Sequence, residues 1–495
     1  MTTILPPRKA DDDTIRYVGL DLAKKETQVA VLNSDGKQIA SRRFQATAGN
    51  YRQLASELGP NDCVALEVST NSFNVARILM TSTARVRISD PVKTKVIASA
   101  KVKTDKIDAR VLAELDRADY LPTVWLPDPY TDRLRHLMSN RQSLVDRRTE
   151  LKNRVHGILH REIISTIGSD LFGRSGSLQL DSIAATDELD CWDQAELESA
   201  RGEIAEKDSR IADMEKAIAA YLCSNQAAVQ MVDLLLSISG VSLVVAAGLV
   251  AAIGDVSRFT KGKQLASYFG LVPSTYQSGD SSGYHGRITK RGRAQARWLL
   301  IEAAEHARKS GPMRAFYLRI AKKRNHNVAV VAVARKLAEI IFRLLSKQED
   351  YLYSIPRLTD EKRARLRMLA SQTCSSSDSS PGNALRRPSG PPDRSPRSPL
   401  YGSGLRGRKI KSDIVRKAST YAEAAYRTMV QARAAGKRLD APIGFDPTRP
   451  SAIDWQAVLE KAAIAIANKQ SSPSHPERSL SAPTAKAKLP GREVR

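Results

Sequence analysis

Between residues 15 and 118 the chain switches period every few residues, and this narrows its fold more than any other feature. Tyr17-Val-Gly-Leu-Asp-Leu22 is an apolar run holding one carboxylate. Residues 27–32 and 38–44 are rich in β-formers and are joined by Asn33-Ser-Asp-Gly36, a good hairpin turn. Helical spacing then covers 51–58 and 73–80, with extended runs at 63–68 and 86–89 between and after them. A last helix is expected over 103–115.

The order β-β-β-α-β-α-β-α is that of a ribonuclease-H-like sheet, and its carboxylates fall at telling places. Asp21 lies inside an apolar strand, where a buried charge is costly without a partner. Glu67 closes another apolar strand, Val64-Ala-Leu-Glu-Val68. Asp105 and Asp108 are three apart on a helix and project from one face. Taken singly, that pair reads as a solvated helix face. Four carboxylates brought together would repel one another unless a hard divalent cation sat between them. Mg²⁺ suits such oxygen ligands and the phosphate oxygens of a nucleic acid.

Downstream the pattern turns helical. Leu134, Leu137, Leu144, Leu151, Val155 and Ile158 recur with heptad-like spacing, with Arg141 and Arg148 at seam positions. A second stretch places Leu197, Ile204, Ile211, Met214, Ile218 and Tyr221 on one face. The two could pair within one chain or form a dimerisation arm. Residues 168–182 between them read as a loop. Residues 232–254 carry a helix-turn-helix signal resembling a helix-hairpin-helix, which presents backbone N–H groups to a DNA phosphate; Ser242 stands where a second turn glycine is usual. Loop and helices follow to 345. The fold class is therefore α/β plus α, with a tail (1–14), an α/β domain (15–125), coiled-coil helices (126–230) and a mostly helical domain (231–350). A linker (351–411), disordered and basic from about 371, a helical extension (412–470) and a disordered tail (471–495) complete the organisation.

Composition bears on the partner. Lys and Arg number 78 against 53 Asp and Glu, a net charge of +25, and the common large polyanions are nucleic acids. No basic amphipathic anchor and no apolar run of spanning length supports the membrane alternative. The scattered Cys63, Cys191, Cys223 and Cys374 suggest neither a zinc cluster nor a disulfide framework. The charged residues 8–13 do not read as a signal peptide, so a cytoplasmic, nucleoid-associated protein is expected. Within 270–297 a Ser/Gly loop leads into a basic stretch of Arg287, Lys290, Arg291, Arg293 and Arg297, suited to binding DNA phosphates. Ser278, beside Gly279, could attack phosphorus as a nucleophile, with Ser281 and Ser282 as competing candidates. Ser-Gly is also ordinary turn chemistry, and His285 reads equally as a surface residue.

The chain resembles bacterial insertion-sequence transposases that pair a RuvC-like DEDD domain with a C-terminal serine-bearing transposase domain, a family whose recombinases use an element-encoded bridge RNA. The N-terminal resemblance runs from Tyr17-Val-Gly-Leu-Asp-Leu22 through Ala65-Leu-Glu67 to Lys103-Thr-Asp-Lys-Ile-Asp-Ala109. The C-terminal one runs from Leu236-Ser-Ile-Ser-Gly-Val through Ala252-Ile-Gly-Asp255, Phe269-Gly-Leu-Val-Pro273 and Gln277-Ser-Gly279 to Gly286-Arg-Ile-Thr-Lys-Arg-Gly292. It implies that Asp21, Glu67, Asp105 and Asp108 are the DEDD ligands of Mg²⁺ and that Ser278 is the nucleophile. It further implies a homo-oligomer on DNA, a dimer or tetramer, in which a serine from one subunit meets the metal cluster of another. The extension after Ser371 lies beyond the family pattern. Its arginines, among them Arg386, Arg387, Arg394 and Arg397, could bind nucleic acid. Two rival functions stay open: a RuvC-like endonuclease hydrolysing branched DNA with water, and a nucleic-acid-binding protein with a defunct site.

Overall fold

A computed structural model describes residues 3–6, 14–82, 85–97, 104–166, 170–186, 188–276, 284–309 and 311–374. The expected disordered segments, the helices over 414–435 and 455–468, and Ser278, Ser281 and Ser282 lie outside the described residues. The chain divides into two compact units, residues 1–132 and 133–495.

The first unit is built on β1 (Tyr17–Leu22), β2 (Glu26–Leu32), β3 (Gln38–Gln45), α1 (Ala48–Glu57), β4 (Cys63–Glu67), α2 (Ser72–Leu79), β5 (Arg85–Ser89), α3 (Pro91–Ile97) and α4 (Asp105–Arg117). The strands form one sheet in the order β3-β2-β1-β4-β5. β2 is antiparallel to β1 and β3, whereas β1, β4 and β5 run parallel. The short helix α3 has no counterpart in the sequence pattern. It starts because the Asp90 carboxylate accepts from Val92 and Lys93 N–H, with Pro91 at the first helical position.

Alternation along the strands separates two faces. On one, Val18, Leu20, Val29, Val31, Val64 and Leu66 pack with Leu54 of α1 and Val75 and Leu79 of α2 as a buried core. On the other, α4 lies across β1 and β4. A side chain at Gly19 would run into the Ala109 carbonyl, so glycine is what lets α4 seat on the sheet. Ala65 of β4 packs with Leu112 of the same helix.

The second unit begins within α5 (Pro129–Arg161) and continues through α6 (Arg174–Ala184), α7 (Cys191–Cys223), α8 (Gln226–Leu236), α9 (Leu243–Ile253), α10 (Gly262–Tyr268), β6 (Pro273–Tyr276), β7 (Tyr284–Ile288), α11 (Ala294–Ala307), α12 (Gly311–Ala321), α13 (His326–Lys347) and α14 (Pro356–Cys374). α5 and α7 pair antiparallel within one chain. Arg141 meets Glu215 at 2.6 Å, Arg148 meets Asp208 at 2.6 Å, Arg154 meets Glu196 at 2.7 Å, and Arg161 meets Asp193. The two arginines expected in the seam are thus the cations of a cross-helix ladder. Residues 168–182 are not simply a loop: α6 closes the far end of the pair, with Leu180 and Ile183 in a core shared with Val155, Ile158 and Leu197.

Helices α8 and α9 and the turn between them occur where the sequence placed them. Ser242 is the N-cap of α9, its hydroxyl accepting from Val245 N–H. Much of the turn, however, packs inward. Ile238 and Val241 are buried, and a side chain at Gly240 would crowd Ala303 and Ala307 of α11. Lys362 of α14 donates to the Leu236 and Ile238 carbonyls at 3.0 Å each. The phosphate-binding role expected of this turn is therefore confined to the exposed Ser242 end. Within the segment expected as a linker, residues 356–374 form helix α14, which packs on α7 and α8. No described helix is long and apolar enough to cross a membrane.

Candidate functional site

The carboxylates are brought to one side of the first unit by strand register. β1 and β4 are parallel with Leu20 opposite Leu66, the last paired position, so Asp21 and Glu67 each follow one residue beyond it, Asp21 next to last in β1 and Glu67 last in β4. Both lie two residues beyond the positions that touch α4, Gly19 and Ala65, and so share the α4 face. Helix α4 starts there too. Thr104 caps it, accepting from Ile107 N–H, and Asp105 and Asp108 occupy its first turn, where the helix dipole favours negative charge. All four sequence candidates therefore belong to one region of one face.

A polar cavity of about 470 Å³ opens at this end and is lined by Asp21, Lys25, Glu26, Gln28, Arg43 and Asp105, among others. Arg43, on the exposed edge strand β3, enters it and was not foreseen from the sequence. Its guanidinium donates to Asp105 at 3.1 Å and Glu26 at 3.3 Å, with Gln28 Oε1 at 3.4 Å from its Nε. The all-oxygen donor set suits a hard divalent cation. Among the described residues, though, no three His, Cys, Asp or Glu side chains stand close enough together to hold one as they are. Of the four candidates only Asp21 and Asp105 line this cavity; a cation shared by all four would have to draw in Glu67 and Asp108 as well, and Asp105 would have to exchange its Arg43 partner for it.

A further acid on the same helix has a different role. Asp116 is fully buried against β5 beside Arg85 at 3.5 Å and Arg87 at 3.3 Å. Burial pushes its carboxyl above the ordinary range while the two arginines pull it back, the signature of a structural ion cluster.

In the second unit the basic stretch is not a bare loop. β6 and β7 pair as an antiparallel hairpin, and residues 277–283, with Ser278, lie between them. The pairing continues below the strands: Thr289 N–H donates to Val272, Lys290 to Gly270 and Arg293 to Tyr268. This closeness explains two motif glycines. Gly270 (φ +70°) and Gly292 (φ +104°) hold left-handed backbone, and a side chain at Gly292 would strike the Tyr268 carbonyl.

The five cations expected to bind DNA divide into two groups. Arg287, Lys290 and Arg291 are exposed. Arg297 instead donates to the Phe269 and Lys290 carbonyls at 3.2 and 3.0 Å, and Arg293 to the Tyr268 hydroxyl at 3.1 Å. Burial opposes ionisation of Tyr268, but Arg293 and Arg258 outweigh it and leave the phenol below the ordinary tyrosine range. Arg258 stacks on Phe259 and Tyr268, 4.3 and 4.4 Å from their centroids. Arg293 and Arg297 therefore brace the hairpin base.

The α/β unit with carboxylates on one sheet face is followed by a mostly helical unit, and comparison with known proteins finds transposases similar to both parts. Residues 18–163 match the DEDD_Tnp_IS110 family, described as a transposase, and residues 232–318 match the Transposase IS116/IS110/IS902 family. Both matches fall in this order along the chain, so its two parts are similar to those of insertion-sequence transposases of the IS110 type. It is 27% identical over 357 residues to the transposase for insertion sequence element IS1111A of Coxiella burnetii, covering 70% of this chain and 94% of that protein. It is 28% identical over 345 residues to a probable family 20 transposase of Pseudomonas aeruginosa, covering 68% and 98%. With the insertion element IS110 43.6 kDa protein of Streptomyces coelicolor it shares 23% identity over 396 residues, covering 70% and 97%.

Proposed function

We propose that this transposase cuts and exchanges DNA strands at a Mg²⁺ site formed by Asp21, Glu67, Asp105 and Asp108 of a RuvC-like domain, through a covalent phosphoserine link at Ser278. The observation that carries the reading is the register that sets Asp21 and Glu67 one residue beyond the paired Leu20 and Leu66, on the sheet face that α4 covers, with Asp105 and Asp108 in that helix's first turn. Mg²⁺, when bound, would neutralise charge on the phosphate and activate the attacking and leaving oxygens. The chain's own residues do the rest. Ser278 Oγ forms the new P–O bond, and the bridging deoxyribose oxygen leaves and takes up a proton. Attack by the hydroxyl of another strand then releases the serine. The number of phosphodiester bonds is conserved, so no external energy source is needed. Arg287, Lys290 and Arg291, exposed on the hairpin and at its base, would hold the flanking phosphates, with Arg293 and Arg297 keeping the hairpin in shape.

The RNA guide and the homo-oligomer in which one subunit's serine serves another's carboxylates follow from the family resemblance. The test is covalent trapping on a denaturing gel with Mg²⁺, labelled DNA carrying the element's end junction, and the RNA from its flanking noncoding sequence. We expect a protein–DNA adduct that is lost in both Ser278→Ala and Asp105→Ala. Cleavage without an adduct, unaffected by Ser278→Ala, would replace this reading with that of a hydrolytic endonuclease. Equal recombination after ribonuclease treatment would remove the RNA from the scheme.

A further inference from the structure

The corner between α12 and α13 carries charge that neither the carboxylate site nor the serine hairpin uses. Arg319, Lys322, Lys323 and Arg324 are all exposed within six residues, past residue 318 where the family match ends. Lys322 and Lys323 still bond back to Leu318 and Ile320, so they prolong the surface of α12. Among the described residues none of the four has an acidic partner. Glu305, the acid of this corner, is already engaged: it accepts from Arg308 at 2.6 Å and lies 3.0 Å from His326 Nε2. A cluster of unneutralised cations of this density calls for a polyanion.

The aromatic side chains of the corner indicate which polyanion. Proteins that grip single strands offer open rings on which bases stack. Here the Tyr317 hydroxyl lies 2.9 Å from His326 Nδ1, the His326 ring meets its edge, and Arg308 stacks 4.9 Å from its centroid. Arg319 lies over Phe316, 5.3 Å from its centroid. The rings are committed to the protein, and what faces outward, besides the exposed Leu318 and Val328, is positive charge, which matches the continuous phosphate backbone of a duplex. We propose that the α12–α13 corner is a sequence-independent docking surface for duplex DNA, made of residues other than those proposed for strand exchange.

The test measures binding of full-length protein to a short duplex of arbitrary sequence by fluorescence anisotropy across a salt series. Four phosphate contacts predict that Arg319→Gln, Lys322→Gln, Lys323→Gln and Arg324→Gln combined lower the slope of log K against log salt by about 3–4. Between about 50 and about 200 mM salt, the wild type should lose on the order of 100-fold more affinity than this variant. If the fourfold variant fails to fold, Lys322→Gln with Lys323→Gln should lower the slope by about 2. An unchanged slope in a folded variant overturns the proposal. So does weakened binding of single-stranded RNA or DNA with duplex binding intact. Asp21→Ala and Ser278→Ala should keep the wild-type slope, so a failure of the catalytic reading would leave this result distinct.

Discussion

Arg43 and Asp105 form an ion pair whose partners are both about half exposed, so its strength is modest, roughly 0.2–1 kcal/mol. That weakness is useful if the carboxylate must pass to a divalent cation, because the resident guanidinium is displaced at little cost. Arg43→Ala should then tighten Mn²⁺ binding by up to about fivefold in a calorimetric titration, the equivalent of about 1 kcal/mol. Unchanged affinity would mean that Arg43 does not compete for the site. Gly19 works by steric absence. Gly19→Ala would force α4 off β1, carrying Asp105 and Asp108 away from Asp21, and should cost about 2–4 kcal/mol in the first unit, read as a fall in its melting temperature. The residues of the candidate site were not equally legible. Asp21 and Glu67 stood out as acids inside apolar strands, whereas Arg43 sits on an exposed, polar strand where any cation looks ordinary.

At the scale of elements, α14 illustrates how a helix can dock while reading as a polar segment. Few of its side chains are buried, Leu366 and Thr359 among them, and its hold on α8 runs through Lys362. Burial lowers the Lys362 ammonium from its usual 10.5 to about 8. The unfolded chain therefore binds more protons than the folded one between about pH 8 and 10.5, so this group's contribution to stability rises with pH across that window. The wild type should gain melting temperature relative to Lys362→Met as pH is raised from 8 to 10.5. A constant difference would show that Lys362 stays charged throughout. Other elements escaped sequence reading for related reasons. The Gly- and Ser-containing start of α6, Gly173-Arg-Ser-Gly-Ser177, has the composition of a loop, and β6 and β7 are only four and five residues long. The long α5 and α7, with apolar residues over many turns, were plain.

The whole molecule has two units with separate cores, so its unfolding should not be a single two-state event. Scanning calorimetry should resolve two transitions, Gly19→Ala lowering one and Lys362→Met the other; a single transition moved by both variants would contradict this. The fold class, the helical second unit and the basic character were legible because period and charge are carried by many residues at once. What was not legible, the hairpin base and the α12–α13 corner, depends on contacts between segments far apart in sequence. One feature of the sheet also limits how the sequence of the first unit can drift. Because side chains alternate across a strand, Asp21 and Glu67 keep their face only while the count back to Gly19 and Ala65 stays even. Substitutions can accumulate around them, and a two-residue insertion would keep their parity. The gain or loss of a single residue would turn a carboxylate into the opposite core and undo the proposed site at a stroke, with all four acids still present in the sequence.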